Sequence, residues 1–368
     1  MTVPEIASTL VRIPSVNPDG DPGTDKICEA RCAEWLAEFL SALGAKAELR
    51  EVFPGRPNIV ARFPSDRPGK PRILFAPHTD TVSVTGMTID PFSGEIRAGR
   101  LHGRGASDTK GPMASMLWAL REALPMIPSL PYEIWFAGLM GEEAGQHGAK
   151  ALAAQEEFAF VIAGEPTGLD VVHAHKGSVW MTLETTGVAV HGSLPHTGVN
   201  AIYKMCDALE VIRREVIPSF GELHNPVLGH PTASVGTVAG GSKTNIVADS
   251  CRATVDLRTI PGQDLSGVEA MIRAKVPDIQ ISSICSLPLQ TDPAHPLIQK
   301  LQMCGSALVG APWFCDAAVF AARGCPAIAL GPGSLAQAHT CDEFISLEDL
   351  EKGGDFFLRF LHSLGSAG

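Results

Sequence analysis

Five residues suited to binding divalent metals stand at the ends of apolar, strand-like runs in this sequence: His78, Asp108, Glu143, Glu165 and His339. Ile73-Leu74-Phe75-Ala76 precedes His78, Ile134-Trp135-Phe136-Ala137 precedes Glu142-Glu143, and Phe160-Val161-Ile162-Ala163 precedes Glu165. Buried strands of an α/β sheet deliver functional groups at their carboxyl ends, where loops leave the packed core. Two imidazoles and three carboxylates suit a pair of zinc ions with one carboxylate bridging. Asp108 fits the bridge, since each of its oxygens can take one metal. An Asp before a helix is more often an N-cap than a ligand, but here the glycines at 103 and 105 and the other ordered motifs favour ligation. The set reads as that of a two-metal hydrolase.

Asp80 stands two residues beyond His78, and in a strand this spacing puts both side chains on one face. Its carboxylate is expected to accept the imidazole N–H, fixing the tautomer and raising the basicity of the ligand. A turn-forming Asp is the plainer alternative. Glu142 and Glu143 are adjacent and cannot share one environment, so one can bind metal while the other stays free beside a bridging water. A metal lowers the pKa of water from about 15.7 to about 7. A free carboxylate there can complete the deprotonation and hand the proton to a leaving amine.

Composition narrows the setting. The chain has 368 residues, 45% hydrophobic and 19% charged, enough for two domains and a large core. Its net charge of −11 argues against nucleic acid or an anionic membrane as partner. The start, Met1-Thr2-Val3-Pro4-Glu5, shows no signal-peptide pattern, and no apolar run reaches the roughly 18 residues of a membrane span. Nine scattered cysteines suit reduced thiols, and a cytoplasmic location is expected. Cys28 and Cys32 are expected to share one face of a helix as small core residues, and Cys341 is expected to pack rather than ligate. Neither a G-x-S-x-G elbow nor a G-x-x-x-x-G-K-[ST] loop occurs, and Gly103-Arg104-Gly105-Ala106-Ser107-Asp108 lacks the third glycine of a dinucleotide fingerprint.

The elements that must position these residues follow from periodicity. Helical spacing runs from Asp25 to about Leu43. Strand-like segments lie near Ala47–Val52, Asn58–Phe63 and Arg72–Pro77, with Pro64–Pro71 as a hairpin or loop. A helix is expected after Lys110, then the strand Tyr132–Leu139 and a helix near Gly148–Ala154. This alternation predicts an α/β fold, a mostly parallel sheet with helices on both faces. From Gly177 to Leu287 the order changes to strand Val179–Thr186, helix Asn200–Ile217, strands Ala233–Ala239 and Ile246–Arg258, helix Leu265–Lys275 and strand Ile279–Leu287. That is the split, ferredoxin-like α+β arrangement. The expected organisation is a catalytic domain over 1–176 and 289–368, with an inserted dimerisation or lid domain over 177–288.

His78-Thr79-Asp80-Thr81-Val82, the segment Gly103 to Gly111, Gly141-Glu142-Glu143, Gly164-Glu165-Pro166-Thr167 and Ala338-His339-Thr340-Cys341-Asp342-Glu343 resemble, in order, the motifs of the zinc amidohydrolase and exopeptidase family. That family holds acetylornithine deacetylase, succinyl-diaminopimelate desuccinylase, aminoacylase and glutamate carboxypeptidase. The resemblance covers about residues 10–360. Glu165-Pro166-Thr167 with Ala174-His175-Lys176-Gly177, and Gly331-Pro332-Gly333 with Gln337-Ala338-His339, look most like acetylornithine deacetylase. The sequence departs from the commoner family pattern at Thr109 and Cys341, neither of them a ligand.

The resemblance implies a zinc-exopeptidase-like fold and two Zn2+ per subunit, with Co2+ or Mn2+ as alternatives. One ion would be held by His78, Asp108 and Glu165, the other by Asp108, Glu143 and His339. Glu142 would be the free catalytic carboxylate. His191, in Val190-His191-Gly192-Ser193, would stabilise the oxyanion across a homodimer formed through the inserted domain. Asn245 and Arg258 match positions that bind the substrate carboxylate, for which the guanidinium fork is well shaped. A solvated His191 and a surface Arg258 ending a strand are the plainer readings of the same residues. The implied activity is removal of an acyl group from an N-acyl amino acid, with N-acetylornithine or a close analogue first. Desuccinylation of succinyl-diaminopimelate, or hydrolysis of short peptides, is the alternative. A catalytically silent homologue should lack a ligand or Glu142, and none is missing.

Overall fold

Apolar runs without polar interruption, such as Ile73-Leu74-Phe75-Ala76 and Phe160-Val161-Ile162-Ala163, suit strands buried on both faces, and they form the centre of the main sheet. A computed structural model describes residues 1–365 and divides the chain into two compact units. The first comprises Met1–His173, Gln290–Val309 and the chain from Cys315 on; the second comprises Ala174–Leu289 with Gly310–Phe314.

In the first unit the strand Arg72–Pro77 lies between Glu133–Gly138 and Phe160–Gly164, parallel to both. Ala327–Ala329 continues the parallel set beyond Phe160–Gly164. Outer strands are antiparallel: Arg56–Arg62 pairs with Glu133–Gly138, Lys46–Phe53 with Arg56–Arg62, and Val171–His175 with Ala327–Ala329. Neighbouring residues of a strand face opposite sides, and both sides are covered. Phe136 and Phe75 join a core built with the helices Val3–Val11, Lys110–Glu122 and Leu347–Gly365. Trp135 turns the other way, with its ring 5.6 Å from Phe158, which lies 6.1 Å from Phe320 of the helix Ala317–Ala321. Among the described residues no helix is long and apolar enough to cross a membrane.

The second unit runs strand Gly177–Thr186, helix Ala201–Val211, strands Thr232–Gly240 and Ser250–Thr259, helix Ser266–Lys275 and strand Gln280–Ser286. Its antiparallel sheet has the order Thr232–Gly240, Ser250–Thr259, Gly177–Thr186, Gln280–Ser286, which is a ferredoxin-like topology. Val179, Met181 and Leu183 alternate inward to meet Met205, Ala208 and Ile272 of the two helices, while Trp180 is 52% exposed on the open face. Thr232–Gly240 is an edge strand, exposed along nearly its whole length.

Four local expectations need correction. The helix expected from Asp25 starts at Ala30. Cys28 lies outside it at φ +73°, its N–H bonded to the Val16 carbonyl, so Cys28 and Cys32 do not share a helical face. Of the two forms expected for residues 64–71, hairpin or loop, the chain takes the loop, since Glu133–Gly138 separates the two strands they join. The strand expected from Ile246 begins at Ser250. Cys341 is exposed rather than packed; its thiol reaches the neighbouring Asp342 Oδ1 at 4.0 Å, and its carbonyl accepts from the Thr88 N–H at 2.8 Å.

A candidate dinuclear metal centre

The parallel register pairs Pro77 with Gly164, so His78 and Glu165 leave the sheet side by side at the carboxyl ends of neighbouring strands. His78 also bridges to Leu139, which brings the Glu142-Glu143 turn to the same edge. Asp108 arrives on a loop with Gly103 at φ +139° and Gly105 at φ +85°. A Cβ on Gly105 would meet Thr81 Cγ2 at 2.9 Å and Lys110 Cδ at 3.1 Å, so this approach requires glycine.

Two clusters of metal-binding atoms result, each within 4.8 Å: His78, Asp108 and Glu165, and Asp108, Glu143 and His339. Asp108 belongs to both. Its Oδ1 lies 3.0 Å from His78 Nε2, and its Oδ2 lies 3.3 Å from His339 Nε2, which is also 3.3 Å from Glu143 Oε2. Glu143 Oε1 is buried without a hydrogen-bond partner. Imidazoles and carboxylates at this spacing, with an orphaned buried oxygen among them, fit two divalent cations. Glu142 is buried and belongs to neither cluster.

Asp80 is placed otherwise than its spacing suggests. His78 Nδ1 lies 2.9 Å from the Asp80 main-chain oxygen and 3.5 Å from its carboxylate, so the carbonyl is the closer orienting partner of the ring. The carboxylate instead accepts from Glu142 N–H at 3.0 Å, Glu143 N–H at 3.1 Å and Asn17 Nδ2 at 2.8 Å. Strand periodicity fails here because the strand ends at Pro77. Asp80 therefore orients both glutamates of the turn, a role the spacing did not indicate.

The acidic cluster shapes its own protonation. Burial, then the charge of Glu165, pushes the Glu142 carboxyl well above its ordinary range. Hydrogen bonds to Asp108 and Glu143 raise His339 to about 10. Burial opposes charge on His78, yet hydrogen bonds to Asp108 and Asp80 outweigh it and hold the imidazole well above its ordinary range. The same negative potential that holds protons on the imidazoles favours divalent cations.

Three groups beside the centre escaped sequence reasoning. Glu343, completely buried, accepts four hydrogen bonds from the segment Arg104–Asp108. Asn17 steadies Asp80. Asp316 is 1% exposed, and neither carboxylate oxygen has a hydrogen-bond partner. Of the three, only Glu343 lay within a recognised motif.

The remaining candidates lie in the second unit. His191 is exposed; its Nδ1 accepts the Ser193 N–H at 3.2 Å, with Ser193 Oγ 2.7 Å away. An accepting Nδ1 leaves the proton of the neutral ring on Nε2, which is then a donor. Asn245 is next to it: His191 bridges to Ile246, and Gly192 N–H donates to the Asn245 carbonyl at 2.7 Å. Arg258, with Nε 3.1 Å from Asp256 Oδ2, is elsewhere. It lies near the far end of the strand Ser250–Thr259, opposite the end that receives residues 245–249. Eight residues of strand, at about 3.3 Å each, put roughly 26 Å between those ends. One subunit's Asn245 and Arg258 therefore cannot share one carboxylate.

A family model, peptidase family M20/M25/M40, matches residues 74–363. An acetylornithine deacetylase of Vibrio campbellii is 30% identical over 367 residues, covering 94% of this chain and 93% of its own. Among solved structures, a tripeptidase from Staphylococcus aureus superposes with a TM-score of 0.79 at 21% identity, over 99% of this chain and 98% of its own. A dinuclear metal binding peptidase from Bacillus subtilis gives 0.68 at 14% identity, over 98% and 96%.

Proposed function

The chain belongs to peptidase family M20/M25/M40 and is a metal-dependent hydrolase of amide bonds, and from that premise we propose that it removes the acyl group of an N-acyl amino acid, N-acetylornithine or a close analogue. The observation that carries this reading is the match to an acetylornithine deacetylase over nearly the full length of both chains, joined to a site that keeps both clusters and a free Glu142. The cations are zinc, with imidazole and carboxylate donors suited to it. The reaction runs in a reducing cytoplasm, which nine free cysteines support.

A pair of divalent cations, when bound, supplies Lewis acidity toward water and the amide carbonyl. Glu142, held through its main chain by Asp80 and lying outside both clusters, takes the proton of the attacking water and returns it to the leaving nitrogen. His191 donates from Nε2 to the oxyanion of the tetrahedral intermediate. Arg258 and Asn245 fix the substrate carboxylate from two different subunits of a homodimer, since one chain cannot supply both. The exposed edge strand Thr232–Gly240 offers a surface for that pairing.

The test is a panel on zinc-loaded protein: N-acetylornithine, other N-acetyl amino acids, N-succinyl-diaminopimelate and dipeptides. Acetate release from N-acetylornithine at the highest kcat/KM is expected. A dipeptide or succinyl substrate cleaved tenfold better would move the assignment to that branch of the family.

A further inference from the structure

The two clusters are anchored by different means. His78 and Glu165 stand at the ends of adjacent parallel strands joined by regular backbone pairing, and Thr109 Oγ1 ties the Asp108 loop to the Gly164 carbonyl. His339 has no such support. It sits outside any strand or helix at φ +63°, with 56% of its side chain exposed, and among the described residues its ring makes ion-pair contacts with Asp108 and Glu143. The Cys341 carbonyl accepts from Thr88 N–H at 2.8 Å, and the buried side-chain tie between this segment and the Asp108 loop lies four residues on, at Glu343.

Glu343 Oε2 accepts from Arg104 Nη1 at 2.6 Å and Gly105 N–H at 3.0 Å; Oε1 accepts from Ser107 N–H at 2.9 Å and Asp108 N–H at 3.0 Å. Its main-chain oxygen takes the Gly103 N–H at 3.0 Å, and the strand Phe344–Ser346 then pairs with Arg100–His102. One fully buried carboxylate thus joins the Asp108 loop to the His339 segment, 235 positions apart in sequence between Asp108 and Glu343. An ionised carboxylate accepting four donors is a strong, directional clamp, and a buried charge so satisfied is costly to replace.

We propose that Glu343 is a positioning residue that selectively builds the second metal site, the one formed by Asp108, Glu143 and His339. The inference rests on the two-metal reading above. The main-chain pairing of 343–346 remains without the clamp, but loss of the clamp loosens Asp108 against His339 in that site, whereas in the other site it loosens Asp108 alone and leaves His78 and Glu165 on the sheet. Glu343→Gln tests this with little change of shape. Gln has one acceptor oxygen and one amide nitrogen, so two N–H donors of the Arg104–Asp108 segment lose their acceptor.

Metal-free protein is titrated with Co2+, followed by calorimetry and by the visible and spin-coupled magnetic signals of the bound ions. The unsubstituted chain should take up two ions. Glu343→Gln should bind the first within about threefold of normal and the second at least tenfold more weakly, within the ~10–100-fold range for groups that orient ligands. The coupling signal should fade accordingly. A core variant of similar thermal cost, Phe357→Leu, should keep both ions, which separates positioning from general destabilisation. Equal weakening of both ions, or of neither, overturns the proposal. A single ion on the unsubstituted chain would instead overturn the two-metal reading itself.

Discussion

Asp108 presents one carboxylate oxygen to each of two histidines, Oδ1 at 3.0 Å from His78 and Oδ2 at 3.3 Å from His339. Among the described residues no other belongs to both clusters. Asp108→Ala should therefore abolish binding of both ions, whereas His339→Ala should remove one. Metal analysis after dialysis is the check. An Asp108→Ala chain that retains two ions would show that the bridge is not needed to hold them.

Glu142 lies outside both clusters, so its loss should spare the metals. Glu142→Ala is expected to keep them and to lose at least ~10²–10⁴ in kcat, the usual cost of a missing general acid–base. Glu143→Ala should lose metal. Reversed metal contents for the two variants would mean that their roles are exchanged.

Asp80 tests whether the turn must be held. Asp80→Asn keeps the shape but turns an amide towards donors that need an acceptor: the Glu142 and Glu143 N–H groups and Asn17. A loss of about 10–100-fold in kcat/KM is expected, carried mainly by kcat because Glu142 acts in the proton transfers. An effect confined to KM would put Asp80 on the substrate-binding side instead.

Much of this centre was legible in the sequence, and the reason is geometric. Parallel strands such as Arg72–Pro77 and Phe160–Gly164 are uniformly apolar, so the first polar residue after each, His78 or Glu165, marks the strand end where chemistry gathers. The ferredoxin-like order was legible because alternation and helical spacing are local. What was hidden depends on backbone donors or on long-range register. Glu343 is hydrogen-bonded to the Arg104 side chain and to three main-chain N–H groups that no motif displays. The Asp80 carboxylate, not its carbonyl, looked like the nearest partner of the His78 ring because the strand was read past Pro77. The separation of Asn245 from Arg258 appears only once the strand between them is laid out.

Asp316 gives a pH prediction. Burial, against the opposing charge of His78, pushes its carboxyl up to about 7 from 3.8. The folded chain then holds a proton that the unfolded chain releases near 4, so this group's contribution is fully present below about pH 4. It is lost as pH rises to about 7, at up to about 1.4 kcal/mol per pH unit. Asp316→Asn cannot ionise, so metal-free variant should gain stability relative to the parent between pH 4 and 8. Urea unfolding of both chains at pH 5 and pH 8 measures this, and a constant difference would show that Asp316 ionises normally in the fold.

The last prediction concerns His191. Its Nε2 is the donor end of the ring, it neighbours Asn245, and both lie at the end of the strand Ser250–Thr259 opposite Arg258. If Arg258 and Asn245 grip one substrate, they must come from different chains, and His191 goes with Asn245. An oxyanion donor supplied in this way contributes ~2.7–4 kcal/mol where single donors have been removed from other enzymes. Complementation reads this out directly. Glu142→Ala and His191→Ala chains, each nearly inactive alone, should recover activity when mixed under conditions of subunit exchange. A heterodimer carries one site with both residues intact, so recovery should approach about half the normal activity per dimer. If His191 served its own chain's site, both sites of the heterodimer would be damaged and mixing would restore nothing.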